Sequence, residues 1–198
     1  MNIKYLFILL TLLAIVPLSG QCKTATERMS KDSTRQISSE IVSKYYLEDV
    51  EPPVFEYIIW LSCDIKDEEC SYKFRIITYP TERNDSSVIL LKLKSGETVT
   101  LYPYYYMKSV NYYTLPYGYL NHEYTDYYLE YALDEQTMFK IMNGGITKIR
   151  IGSNKPTKFD EYLFKNNKFS IEMKSAYNAI QKKMKEAPQN PKTIYDNF

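Results

Sequence analysis

The sequence predicts a mainly β, α+β fold, an antiparallel sheet or sandwich of about seven strands with one short helix and one C-terminal amphipathic helix. Three observations predict it. Apolar and polar residues alternate with period two in several segments, turn residues separate these segments, and only two segments have a helical period. Residues 35–186 are long enough to form one β-rich domain with its own core.

The first predicted hairpin joins strands at 54–62 and 71–79 through a polar loop flanked by Cys63 and Cys70. If the two cysteines face each other, the opposed pairs are Leu61 with Tyr72, Ile59 with Phe74, and Tyr57 with Ile76. The opposite face then carries Glu56, Trp60, Lys73 and Arg75. Because this register gathers the apolar residues on the cysteine face, it predicts a Cys63–Cys70 disulfide.

A second hairpin is predicted over residues 88–102, with its turn at residues 94–96. A two-residue turn sets Leu91 and Leu93 opposite threonines. A three-residue turn with Gly96 at positive φ and a bulge sets the apolar residues of both strands on one face, and we favour it because it buries more apolar surface.

The remaining segments predict four more strands and two helices. Residues 36–47 fit a strand or a helix, and we favour a strand. Residues 126–133 alternate, with Tyr127, Leu129, Tyr131 and Leu133 on one face. Asp134 caps a helix that ends at Asn143-Gly144, and strands follow at 147–151 and 158–164. Ser170 is predicted to cap the last helix, whose core-packing stripe is Met173, Ala176, Tyr177, Ile180 and Met184.

Three of these motifs recur in a known group of proteins. They are the run from Leu91 to Leu101 around Ser95-Gly96, the segment Leu133-Asp134-Glu135-Gln136, and the alternating segment from Gly145 to Ile151. Over residues 90–165 this layout resembles that of small secreted bacterial β-rich proteins known only as uncharacterised. The resemblance implies a β-rich fold and no activity.

Residues 1–20 are predicted to be a cleavable secretory signal peptide. Lys4 precedes an apolar run over residues 5–16, Pro17 breaks the run, and the small residues Ser19-Gly20 follow. The run is too short to span a bilayer, which takes about 20 residues. We therefore expect export to the periplasm, the cell surface or the extracellular space. Residues 21–34 are expected to form a flexible lead-in and residues 187–198 a disordered tail.

The residues around the cleavage site are compatible with two forms of the exported chain. Ordinary cleavage after Gly20 would leave Gln21 as the N-terminus, and we favour it. In the alternative, Cys22 is lipidated and anchors the protein to a membrane. Gln21 separates the small residues from Cys22, so the lipidation motif is out of register by one position.

The charge balance and the single histidine argue against several classes of function. Without residues 1–20 the chain keeps 178 residues, with 24 basic and 24 acidic side chains. This balance predicts no nucleic-acid binding and no steering toward an anionic membrane, and no later apolar run predicts a transmembrane segment. His122 is the only histidine. We interpret it as a loop residue, and we expect no catalytic residue, metal ligand or cofactor site.

Tyrosine is the unusual feature, with 21 in the chain and 12 of them between residues 102 and 131. Prolines and Gly118 interrupt residues 103–122, which predicts a loop or broken strand. In Tyr104-Tyr105-Tyr106 alternation cannot bury all three rings, so at least one faces outward. Tyrosine gives broad contact area at low entropic cost and suits a glycan or peptide. The predicted contact residues are Tyr104, Tyr105, Tyr106, Tyr112, Tyr113, Tyr117 and Tyr119.

Two functional hypotheses follow. The first is an exported, non-enzymatic binding or interaction module with this tyrosine-rich loop as its contact region. The alternative is a small extracytoplasmic hydrolase that uses carboxylates the sequence does not identify. The second hypothesis predicts a concave pocket with acids whose pKa values are pushed apart.

Overall fold

A computed structural model of the chain describes residues 24–30, 32–46, 55–79, 83–114, 121–152 and 158–186. They form ten β-strands and two α-helices. The strands are β1 (Ala25–Met29), β2 (Arg35–Tyr46), β3 (Phe55–Lys66), β4 (Glu69–Thr78), β5 (Ile89–Leu93), β6 (Thr98–Leu101), β7 (Pro103–Thr114), β8 (Asn121–Leu133), β9 (Ile146–Gly152) and β10 (Phe159–Leu163). The helices are α1 (Glu135–Asn143) and α2 (Lys168–Lys185).

The strands form two antiparallel sheets, which confirms the mainly β class. The six-stranded sheet has the order β1-β2-β3-β4-β8-β7, and the four-stranded sheet has the order β10-β9-β5-β6. Alternate residues of both sheets meet in one core, among them Ile59, Ile76 and Leu129 from the first sheet and Leu91 and Ile149 from the second. We call the core side of the six-stranded sheet its inner face and the opposite side its outer face.

Helix α2 packs against the inner face along β1, β2 and β3. Phe169 contacts Phe74 edge to face at 6.1 Å, and Tyr177 contacts Tyr72 at 5.7 Å. The predicted apolar stripe is confirmed as a core-packing face, since Met173 and Ile180 lie in the core. Neither helix of the described residues is long and apolar enough to cross a membrane.

The predicted flexible lead-in over residues 21–34 is wrong for the part that the structure describes, residues 24–30 and 32–34. Residues 25–29 form β1, which pairs with β2 from Ala25 opposite Ser39 to Met29 opposite Arg35. A tight turn then connects the strands, and Asp32 accepts hydrogen bonds from Ser30 and Thr34 within it. The segment is ordered because the edge of β2 provides backbone partners, which a single-sequence pattern does not reveal.

The predicted register of the first hairpin is also wrong, by two residues. Cys63 lies opposite Tyr72, and Cys70 lies opposite Ile65. The cause is the turn: Asp67 and Glu68 adopt φ values of 50° and 70°, so a two-residue turn replaces the expected six-residue loop. A shift of two residues keeps every side chain on its predicted face. The two cysteines therefore lie diagonally on the inner face, both free, with Cys63 buried and Cys70 exposed.

The second hairpin confirms the three-residue turn. Ile89 lies opposite Leu101 and Leu91 opposite Val99, while Gly96 adopts a φ of 91°. The predicted strands at 36–47, 126–133, 147–151 and 158–164 are confirmed as β2, part of β8, β9 and β10.

The helix ends are partly as predicted. The carboxylate of Asp134 accepts from the backbone N–H of Thr137 at 2.6 Å and caps α1. The predicted capping by Ser170 is wrong, because α2 begins at Lys168. The buried Ser170 hydroxyl instead donates to the carbonyl of Ile141 and accepts from the N–H of Ile146, so it joins α2 to α1 and β9.

Candidate binding surface

Of the segment at 103–122 predicted as a loop or broken strand, residues 103–114 form the edge strand β7. In β7, Pro103 lies opposite Tyr131 and Tyr105 lies opposite Glu130, so Tyr104 is an extra residue between them. This is a β-bulge. Strand β7 forms because β8 supplies a backbone partner along its whole length, which outweighs the local turn signals.

The bulge explains how three consecutive tyrosines fit one strand. Tyr104 and Tyr105 both reach the outer face and are 57% and 45% exposed. There Tyr105 contacts Tyr128 edge to face at 6.0 Å. Tyr106 lies on the inner side and stacks on Tyr127 at 6.4 Å. As expected, not all three rings are buried, and two of them stand together on the outer face.

The structure describes only part of the other predicted contact tyrosines. The backbones of Tyr112 and Tyr113 pair with Glu123 and His122. His122 therefore belongs to β8, and its predicted place in a loop is wrong. The side chains of residues 111–114 and 121–124, and the whole of Tyr117 and Tyr119, lie outside the described residues. So do the signal peptide at 1–20, Cys22 and the tail at 187–198.

Two rows of side chains cross the outer face beside the two exposed tyrosines. One row joins Ile58, Ile77, Tyr128 and Met107 on four adjacent strands, and the next joins Trp60, Arg75, Glu130 and Tyr105. Met107 is 45% exposed. We define the aromatic band as the apolar members of these rows together with the exposed bulge residue: Ile58, Trp60, Ile77, Tyr104, Tyr105, Met107 and Tyr128.

Four charged residues form a compact ion cluster next to the band. Nζ of Lys73 lies 2.6 Å from Oδ2 of Asp64 and 3.0 Å from Oε2 of Glu130. Nε of Arg75 lies 2.9 Å from Oε1 of Glu130. Lys73 and Glu130 are buried although they point away from the core. Two positive and two negative charges cancel, so the cluster presents no net charge to the outer face.

Two tyrosine hydroxyls complete the coordination of Glu130. Tyr104 donates to Oε2 and Tyr128 to Oε1, both at 2.6 Å. Burial raises the pKa of Glu130, but the bonds from Tyr104, Tyr128 and Lys73 outweigh it and lower that pKa to about 2. Burial and the same carboxylate raise the pKa of both tyrosines. Glu130 is thus an ionised anchor that holds two rings of the band in place.

Nothing in the described part of the chain packs over the outer face. Helix α2 lies on the inner side, and the four-stranded sheet meets the same core. The sequence had placed Trp60, Lys73 and Arg75 together on this face, and the two-residue register shift left them there. Asp64, Glu130 and Tyr128 were not among the residues predicted for this site. Asp64 directly follows the buried Cys63, and Glu130 directly follows the buried Leu129. Period-two alternation could therefore have placed both acids on the outer face.

An open cleft of about 720 Å³ lies between β2, the end of β10 and the start of α2, and Trp60 of the aromatic band is among its lining residues. Its floor is a cluster of three rings, in which Tyr162 contacts Tyr57 at 4.4 Å and Tyr45 at 5.2 Å. Burial and the nearby Glu56 carboxylate raise the pKa of Tyr162. None of the predicted contact tyrosines lines this cleft.

No group of histidine, cysteine, aspartate and glutamate side chains in the described ranges is arranged to hold a metal ion. Comparison with protein-family models, with curated protein sequences and with solved structures found no match to this chain.

Proposed function

We propose that the chain is an exported, non-enzymatic binding module that holds a neutral glycan against the aromatic band of its outer face. One observation carries the proposal: the exposed rings of Tyr104 and Tyr105 on β7 stand beside the half-buried ring of Tyr128 on β8, on a sheet face that no described element covers. Aromatic faces with a few polar groups around them are typical of ligand sites.

The ion cluster supports a ligand without charge. Lys73, Arg75, Asp64 and Glu130 neutralise one another, so a charged ligand would gain little unless it separated these pairs. Hydroxyl groups of a sugar need no such separation. A peptide more often adds to a sheet through free backbone groups at an edge. The band begins on the edge strand β7 but continues onto Tyr128 and Trp60, which lie on inner strands whose backbones pair on both sides, and this extension away from the edge favours stacking of sugar rings.

The carboxyl groups support binding rather than the hydrolase alternative. A general acid needs a raised pKa. The described carboxyl groups whose pKa clearly shifts are all lowered: Asp32, Glu130, Asp134, Glu161 and Glu186. Each is stabilised as an anion by hydrogen bonds.

The test is a screen of the exported chain on an array of neutral oligosaccharides, followed by calorimetric titration of each hit. We expect the double substitution Tyr105→Ala with Met107→Ala to weaken binding about tenfold or more, since both side chains are exposed contacts. Phe139→Ala, a half-exposed ring on α1, is the matched control and should change nothing. An empty glycan screen, binding of peptides alone, or equal losses in both variants would contradict the proposal.

A further inference from the structure

The exposed side of α2 is a stripe of lysines. The exposed helix residues recur every three or four positions, so they share one face. We define the lysine stripe as these residues: Lys168, Ile171, Lys174, Asn178, Lys182 and Lys185. It contains four positive charges and no acid. The one acidic residue of α2, Glu172, is half-buried beside it.

The four lysines are available to a partner. None of them forms an ion pair with another described residue. Lys183, which lies outside the stripe, pairs with Glu186 at 2.7 Å. Ile171 lies among the lysines and is 61% exposed, and Leu163, just before the helix, is 73% exposed. The surface thus combines a run of positive charge with two exposed aliphatic side chains at one end.

The position of this stripe follows from the packing of α2. The opposite side of the helix, with Phe169, Met173 and Ile180, is buried against the inner face of the six-stranded sheet. The stripe therefore points away from that sheet. A partner on the lysine stripe would lie on the side of the molecule opposite the aromatic band.

The described N-terminus lies at the same surface. Thr24 and Ala25 share a shallow depression with Asn178 and Lys182 of the stripe. The chain therefore enters the described fold, at Thr24, beside the lysine stripe.

We infer that the lysine stripe is a docking surface for an anionic lipid membrane. The balanced net charge of the chain predicted no such attraction, but the fold gathers four lysines on one exposed face. Lysines near an anionic surface contribute about fivefold each to membrane partitioning, and a basic patch converts one weak anchor into stable attachment. The complementary charge identifies the partner, and the adjacent N-terminus fixes the orientation. Docking on this side leaves the aromatic band facing outward, where a ligand reaches it.

The test uses the exported chain with Cys22 unmodified, so that only the protein surface acts. In co-sedimentation we expect binding to vesicles with about 30% phosphatidylglycerol, no binding to pure phosphatidylcholine, and release as salt rises from about 0.05 M to about 0.5 M. Lys174→Glu with Lys182→Glu should weaken binding about 25-fold or more. Lys168→Glu with Lys185→Glu is an independent second variant and should do the same.

Lys66→Glu with Lys94→Glu is the matched control. It makes the same change in net charge at two exposed lysines outside α2, and it should leave vesicle binding within about twofold. Circular dichroism confirms that each variant folds. Equal binding to neutral vesicles, no binding to anionic ones, equal loss in the control, or preferential binding of duplex DNA would overturn the inference. These results do not depend on glycan binding, so either proposal can fail alone.

Discussion

The hydroxyl of Tyr104 donates a 2.6 Å hydrogen bond to Oε2 of Glu130. Tyr104 is the bulge residue that interrupts the regular pairing of β7 with β8. If the regular pairing of Tyr105 with Glu130 continued by one residue, Tyr104 would lie opposite Tyr131 and alternate onto the inner side. The bulge therefore brings a second ring to the outer face and supplies a hydrogen-bond donor to a buried carboxylate.

This contact makes the pKa of Glu130 sensitive to Tyr104. In Tyr104→Phe the carboxylate loses a donor, so we expect its pKa to rise from about 2 and the free energy of unfolding to fall by about 1 kcal/mol. Tyr128→Phe should act in the same direction. NMR titration of the Glu130 side-chain carbon measures the pKa, and urea denaturation measures the stability.

Tyr105→Phe is the matched control for this prediction. The Tyr105 hydroxyl contacts Sδ of Met107 at 3.8 Å and does not bond to Glu130. Its removal should leave the pKa of Glu130 unchanged. If Tyr104→Phe and Tyr105→Phe titrate alike, the Tyr104 bond does not hold the carboxylate.

Acid should remove the stability that Glu130 contributes. Its pKa is about 2 in the folded chain and has an ordinary value of 4.5. A lowered pKa stabilises the fold above the unfolded value, and the contribution is lost as pH falls through the folded value. The stability difference between wild type and Glu130→Gln should therefore be largest above about pH 5 and shrink toward pH 2.

Denaturation midpoints at a series of pH values check this prediction. Other carboxylates with lowered pKa, such as Asp134 and Glu161, are present in both proteins, so their effects cancel in the difference. A difference that stays constant from pH 6 to pH 2 would show that Glu130 stabilises the fold by packing alone.

Substitutions in the turn between β3 and β4 should raise the stability of the fold. Asp67 and Glu68 both have positive φ, a conformation that costs an L-residue about 1–2 kcal/mol and that Asn-Gly adopts more readily. Asp67→Asn with Glu68→Gly should raise the free energy of unfolding by about 1–2 kcal/mol in urea denaturation. Asp85→Asn, an exposed site in another turn, serves as control. Loss of stability would favour the longer loop and the cysteine-facing register.

The two cysteines should differ in reactivity. Burial, with the neighbouring Cys70, raises the pKa of the Cys63 thiol to about 12, whereas Cys70 is exposed. In the reduced native protein at about pH 8 we expect a maleimide to modify Cys70 within minutes and Cys63 only after unfolding. Mass spectrometry of peptides separates a label at Cys70 from one at Cys22, and Cys70→Ser should abolish only the Cys70 label.

The same experiment tests the disulfide predicted from the sequence. In protein isolated without reductant, a Cys63–Cys70 bridge would block both thiols until reductant is added, even after denaturation. Modification of both thiols under those conditions would contradict the bridge. Diagonal neighbours lie about 7–8 Å apart, farther than a relaxed disulfide spans, so bridging requires movement of the hairpin.

Local patterns predicted the parts of this fold that depend on neighbouring residues. Alternation placed Tyr127, Leu129 and Tyr131 on the buried face of β8, and helical spacing placed Met173 and Ile180 in the core. The first hairpin shows the limit of prediction from local patterns. Its faces were predicted correctly because period two survives a shift of two residues, but its register depended on turn conformation at Asp67 and Glu68.

By itself the sequence determined the strand faces, the cap at Asp134 and the core stripe of α2, since each follows from residues a few positions apart. Only the tertiary structure decided which strands are neighbours. The ion cluster needs β3, β4 and β8 side by side, and the ordered Tyr104 and Tyr105 need β8 next to β7. The lysine stripe likewise became visible only when packing covered the other side of α2. These features join distant segments of the chain, and local propensity does not specify such contacts.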